Sequence, residues 1–125
     1  MEVVHTEHSS QAIGPYSQAL VVDGWVYTSG AVGLTPQNQP VGEDVQEQTR
    51  QTLANLSAVL EAAGCTLQDV VKATVYLVDM DEFPLVNEIY AEYFTASPRP
   101  ARSTVQVAAL PLGSQIEIDA IARSS

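Results

Sequence analysis

Residues 70–94, VVKATVYLVDMDEFPLVNEIYAEYF, decide the fold, because the spacing of their apolar side chains changes partway along. From Val70 to Val78 the residues are β-branched or aromatic and alternate with period two. This predicts a strand with Val71, Ala73, Val75 and Leu77 on one face and Val70, Lys72, Thr74 and Tyr76 on the other. From Asp79 the period lengthens. Val86, Ile89, Tyr90, Tyr93 and Phe94 fall at the i, i+3, i+4, i+7 and i+8 positions of a helix opened by Asp79, Asp81, Glu82 and a first-turn Pro84. Pro98 and Pro100 forbid its continuation.

Working outward, the segment before this unit reads as a second helix over Glu43–Ala63. Val45, Thr49, Thr52, Leu53, Leu56, Val59, Leu60 and Ala63 form its stripe, and Gly64 stands where a left-handed cap is wanted. Residues 31–42, punctuated by Gly33, Pro36, Pro40 and Gly42, read as a surface loop. Residues 17–29, SQALVVDGWVYTS, place Asp23-Gly24 between two β-rich runs, the signature of a hairpin with a type I′ turn. After the second helix come two alternating runs, residues 102–109 and 115–122, separated by LPLG. The order ββαβαββ predicts an α+β fold, a mixed sheet with two helices on one face, over a single domain of residues 1–125. The uncovered face is expected to carry Arg102, Thr104, Gln106, Glu117, Lys72, Tyr76 and Trp25 or Tyr27. That set is too polar for a monomer core and too aromatic for bare solvent, so another subunit is expected to cover it.

Composition narrows the function. The 125 residues are 46% hydrophobic and 16% charged, ordinary for one compact domain. Fifteen acids against five bases give a net charge of −10, which repels phosphate polymers and argues against nucleic acid as a partner. The single Cys65 can form neither an internal disulfide nor a zinc site. Residues 1–12, MEVVHTEHSSQA, lack the basic and apolar regions of a targeting signal, and no run approaches a membrane span, so a cytoplasmic protein is expected, with no membrane partner.

Few residues carry possible chemistry. His5 and His8 lie within the first eight residues, in an end expected to fray, with no third ligand, so neither metal binding nor a His-dependent nucleophile is expected. GxGxxG, GxxxxGK[ST], HExxH and GxSxG are all absent, and no cofactor site is visible. Arg102, at the start of a strand just after Ser97-Pro98-Arg99-Pro100-Ala101, offers a fork that matches a carboxylate, or an ordinary surface ion pair. Glu117, an acid inside an apolar run, is either a desolvated functional carboxylate or a solvent-facing acid. Tyr16, Ser17 and Ser29 bracket the hairpin and offer hydroxyls, and Asn87 falls on the polar side of its helix.

Together these residues resemble the reactive-intermediate deaminase family of the RidA/YjgF type. The resemblance rests on Gly14-Pro15-Tyr16-Ser17-Gln18-Ala19, Ser29-Gly30, Gln48-Thr49-Arg50-Gln51 and Asn55-Leu56, then on the strand over 70–77, Asn87-Glu88-Ile89-Tyr90 and Tyr93-Phe94. It closes with Pro100-Ala101-Arg102-Ser103, Leu110-Pro111 and Ile116-Glu117-Ile118. It implies a chorismate-mutase-like homotrimer with sites in the clefts between subunits. It also implies hydrolysis of 2-imino acids, 2-iminobutanoate and 2-iminopropanoate, to 2-oxo acids and ammonia without a cofactor or metal. By the same resemblance Arg102 holds the substrate carboxylate, Glu117 directs the water, the backbone at Thr104 assists binding, and Tyr16, Ser29, Gly30 and Asn87 line the pocket. Many members have Cys where this chain has Thr104, so a role resting on thiol oxidation is not implied here. The single Lys72 likewise speaks against the chaperone role of some relatives. The alternative is a non-catalytic regulatory trimer that binds 2-oxo acids in the same cleft. An RNA-directed activity, as in some relatives, runs against the net charge of −10.

Overall fold

A computed structural model describes residues 1–123. Seven strands form one sheet: β1 (Glu2–Val4), β2 (Ala19–Val22), β3 (Trp25–Thr28), β4 (Ala31–Val32), β5 (Val70–Leu77), β6 (Ala101–Gln106) and β7 (Ile116–Arg123). Their order is β1-β2-β3-β7-β5-β6, with β4 paired to β7. Only β5 and β6 run parallel, joined by the crossover helix α2 (Phe83–Tyr93). With α1 (Val45–Ala62) this makes an α+β fold with a mixed sheet and two helices, as the sequence predicts. No helix among the described residues is long and apolar enough to cross a membrane.

Local chemistry sets most boundaries. Asp23 and Gly24 take φ of 51° and 82°, the left-handed pair that a two-residue hairpin turn demands. Asp44 caps α1, its Oδ1 accepting from the N–H groups of Gln46 and Glu47 at 2.8 and 3.1 Å. The helix closes where Gly64 turns left-handed and the Cys65 N–H reaches back to the Leu60 carbonyl at 2.8 Å. A single 3₁₀ turn, Met80–Glu82, capped by Asp79, precedes α2. The core lies between helices and sheet, where Leu53, Leu56 and Leu60 of α1 and Val86 of α2 meet Ala73, Val75, Leu77, Ile116 and Ile118.

Several expectations are corrected. The N-terminal end does not fray: β1 pairs with β2, and buried Gln18 binds Thr6 N–H at 2.8 Å and the Ser10 carbonyl at 2.9 Å. The start of the 31–42 loop is a strand, because the fully buried Asn55 amide of α1 donates to the carbonyls of Val32 at 3.0 Å and Leu34 at 2.7 Å. A bulge between Val70 and Lys72 shifts the alternation of β5, so Val70 enters the core and Val71 faces out.

Strand β6 presents the opposite face to the one expected from the sequence. Arg102 pairs with Ala73, Thr104 with Val75 and Gln106 with Leu77, all core-facing residues of β5. Residues paired across neighbouring strands share a face, so these three project toward the helices rather than from the open face. Lys72, Thr74, Tyr76 and Glu117 do lie on the open face with Trp25 and Tyr27, together with Ser103 and Val105. There the Lys72 ammonium donates to Ser103 Oγ at 2.8 Å and the Tyr76 hydroxyl to Asp119 at 3.0 Å. Exposed Val22, Tyr27 and Val105 make this face apolar in patches.

Candidate active site

The proposed site residues fall into two separate depressions. The first gathers Tyr16, Ser29, Gly30 and Glu117, backed by Val32, Leu34 and Leu56. Glu117 opposes Val32 of β4 on one side and Tyr76 of β5 on the other, so its half-buried carboxyl rises beside the break between β3 and β4. The Gly30 backbone runs directly beneath it, and a Cβ there would collide with the carboxyl carbon. Glycine is therefore required for close approach, not for an unusual φ. The hydroxyl of Ser29 donates to the Ser17 carbonyl at 2.6 Å, so its lone pairs remain as acceptors. Tyr16 accepts at its hydroxyl from the Ile13 N–H at 3.2 Å and closes the rim.

Burial pushes the Glu117 carboxyl above the ordinary carboxylate range, and the neighbouring Asp119 charge raises it further. Half-buried in this chain, Glu117 stands between the two sequence readings, a solvent-facing acid and a desolvated one. Asp119, which accepts from the Tyr76 hydroxyl, belongs to none of the motifs in the sequence, and only its period-two spacing from Glu117 points to it.

The second depression is lined by Asn87, Tyr90, Ala91, Arg99, Pro100 and Arg102. Arg102 Nη1 donates to Asn87 Oδ1 at 2.8 Å, so Asn87 faces the arginine and not, as its helix position suggests, solvent alone. Among the described residues the only ion pair is Arg50–Glu92, at 3.0 Å. In place of the surface ion pair stands a half-buried guanidinium with no carboxylate against it among the described residues. Thr104 lies two residues along the same strand. Val107 gives its N–H to the Leu77 carbonyl at 2.8 Å, and since N–H directions alternate along a strand, that of Thr104 points away from β5 to the free edge of the sheet.

Arg102 and Glu117 therefore occupy opposite faces of one sheet. Among the described residues no group of His, Cys, Asp and Glu could hold a metal ion.

The model of the Endoribonuclease L-PSP family matches residues 6–124. The chain belongs to this family. The resemblance to reactive-intermediate deaminases read from the sequence is borne out by relatives within it. A mouse protein named 2-iminobutanoate/2-iminopropanoate deaminase is 53% identical over 122 residues, 97% of this chain and 90% of the relative. Reactive Intermediate Deaminase A, chloroplastic, of Arabidopsis thaliana is 52% identical over 97% of this chain, which spans 65% of that relative's length. Among solved structures, E. coli TdcF with bound serine superposes with a TM-score of 0.94 at 38% identity, over 100% of both chains.

Proposed function

We propose that the protein hydrolyses 2-imino acids of the 2-iminobutanoate and 2-iminopropanoate type to 2-oxo acids and ammonia, in sites completed between copies of a homotrimer. The observation that carries this reading is the Arg102 guanidinium, half-buried and without an ion-pair partner among the described residues, in a chain of fifteen acids and five bases. A cation kept free among so many carboxylates suits an incoming carboxylate, which the planar fork grips through two parallel hydrogen bonds. Deaminase relatives at about 50% identity over nearly the full chain support the reaction class.

The chemistry asks for little more than placement. A protonated imine is already electrophilic at C2, so water adds once it is oriented and relieved of a proton. Glu117 accepts that proton as the water oxygen bonds to C2, then returns it to the nitrogen of the carbinolamine. As the C–N bond breaks, the carbinolamine hydroxyl gives its proton to Glu117 and the C2=O double bond forms; ammonia takes that proton from the carboxyl and leaves as ammonium, and the 2-oxo acid remains. A carboxyl held above its usual range is suited to carry that proton both ways. The Thr104 N–H at the sheet edge offers a further donor to the substrate, with Tyr16, Ser29, Gly30 and Asn87 around it.

Since Arg102 and Glu117 lie on opposite faces of one chain, a site using both requires Arg102 from one copy and Glu117 from another. The exposed Val22, Tyr27 and Val105 of the open face offer the surface on which copies would meet.

The test generates 2-iminobutanoate in situ and follows ammonia release. Arg102→Lys, which keeps the charge and loses the fork, should cut kcat/KM by about two orders of magnitude with the oligomer intact. Glu117→Gln should lower kcat more than KM. Wild-type rates in Arg102→Lys would end the proposal, and saturable 2-oxobutanoate binding without any acceleration by the unmodified protein would assign the site to a sensor instead.

A further inference from the structure

Phe83, Asn87 and Tyr90 stand at i, i+4 and i+7 of α2, so they form one stripe along a single face of the helix. All three meet the same group. The Arg102 guanidinium carbon lies over the Tyr90 ring at 4.7 Å from its centroid and over the Phe83 ring at 5.2 Å, while Nη1 donates to Asn87 Oδ1 at 2.8 Å. Behind it, Tyr90 stacks on Phe94 with ring centroids 4.3 Å apart, and Phe94 is fully buried. A row of rings thus runs from the core to the guanidinium. The Tyr90 hydroxyl is buried without a hydrogen-bond partner among the described residues, so at this place the ring, not the oxygen, does the holding.

The geometry points to Phe83, Asn87 and Tyr90 as positioning residues that fix the Arg102 guanidinium before substrate arrives. The inference rests on the reading of Arg102 as the carboxylate-binding group. A loose arginine surrenders rotamer freedom each time it captures an anion, whereas one ordered during folding has already lost it. Ring faces attract the cation without neutralising it, because the attraction comes from the ring quadrupole and leaves the N–H donors free. Asn87 is suited to the same purpose. Its amide oxygen occupies one of five N–H groups and brings no charge, so Nε and Nη2 remain for the ligand. A carboxylate at position 87 would instead compete with the substrate for the cation.

The experiment measures kcat and KM for 2-iminobutanoate in Phe83→Leu, Tyr90→Leu, Tyr90→Phe and Asn87→Asp, with the rigidity of the Arg102 side chain read by NMR relaxation at Nε. Each leucine variant removes a ring face and keeps apolar bulk, and should raise KM about three- to thirtyfold while kcat stays within about twofold. Tyr90→Phe, which retains the ring, should return KM to within about twofold of the parent. Asn87→Asp should raise KM by at least about tenfold, as a rival anion would. Tyr90 reaches the core and its leucine variant is open to destabilisation. Phe83, half-buried at the start of α2, carries the same test without that complication. In the parent protein Nε should be as ordered as the backbone, and in both leucine variants it should become mobile. Unchanged KM in both leucine variants with unchanged Nε order, or a fall confined to kcat, overturns the inference. Should the unmodified protein fail to hydrolyse any imine, the deaminase reading falls by itself, and the relaxation data still decide whether the rings hold the guanidinium.

Discussion

Gly30→Ala isolates the placement of Glu117 from its presence. An alanine Cβ built at this position stands 2.7 Å from Glu117 Cγ and closer still to the carboxyl carbon, against an ordinary carbon–carbon contact of about 3.6 Å. Something must move by about 1 Å. The Gly30 backbone is not left-handed, so alanine fits its conformation, and the atoms it meets belong to a side chain that can swing aside. The cost to folding should stay within about 1 kcal/mol, partly offset by the smaller conformational freedom of alanine in the unfolded chain. The effect on turnover should be far larger, since a reacting group displaced by about 1 Å loses on the order of a hundredfold in rate. Urea denaturation gives the first quantity and steady-state hydrolysis of 2-iminobutanoate the second. A variant with full activity would show that the carboxyl position is immaterial. A loss of more than about 3 kcal/mol in stability would show that Glu117 cannot yield, and either result refutes the reasoning.

Two other perturbations test the surroundings. Asp119→Asn removes the charge that, after burial, raises the Glu117 carboxyl; the acidic limb of the kcat profile should start above the ordinary carboxylate range in the parent and move to lower pH in the variant, and an unmoved limb would disprove the coupling. The same elevation means that the folded protein holds this proton more tightly than the unfolded chain. The associated stabilisation is complete below the unfolded pKa of about 4.3 and is lost as pH rises through the folded value, so Glu117→Gln should match or exceed parent stability at pH 7 by thermal melting. Asn55→Ala leaves the carbonyls of Val32 and Leu34 without their buried donor and should cost about 2–5 kcal/mol in urea unfolding, with less than 1 kcal/mol showing that water replaces it.

The elements with a repeating pattern were legible because period and punctuation agree: Asp23-Gly24 marks its hairpin, Gly64 closes α1, and the stripe of α2 predicts the buried Val86, Ile89 and Tyr90, while the Asp44 cap that starts α1 two residues after Glu43 emerges only in the structure. Alternation divides a strand into two faces without saying which one is inside. In β6 the apolar Val105 looks outward and the polar Arg102 inward, because the helix layer presents aromatic rings there and not an aliphatic wall. The short strands β1 and β4 have three and two residues, too few for any periodicity, and depend on side-chain amides of Gln18 and Asn55 distant in sequence. Of the site, the identities of Arg102 and Glu117 could be named from the resemblance, while their separation by the thickness of a sheet needed coordinates.

That separation has a genetic corollary. On the proposed roles of Arg102 and Glu117, lesions that abolish function should sort into two groups, those that spoil the grip on the anion and those that spoil delivery of water. If sites form between copies as proposed, a cell carrying one allele of each kind would assemble mixed particles in which some crevices draw both intact halves from different gene products. Two dead proteins, co-expressed, should then recover a fraction of normal turnover, whereas a single polypeptide bearing both lesions recovers none.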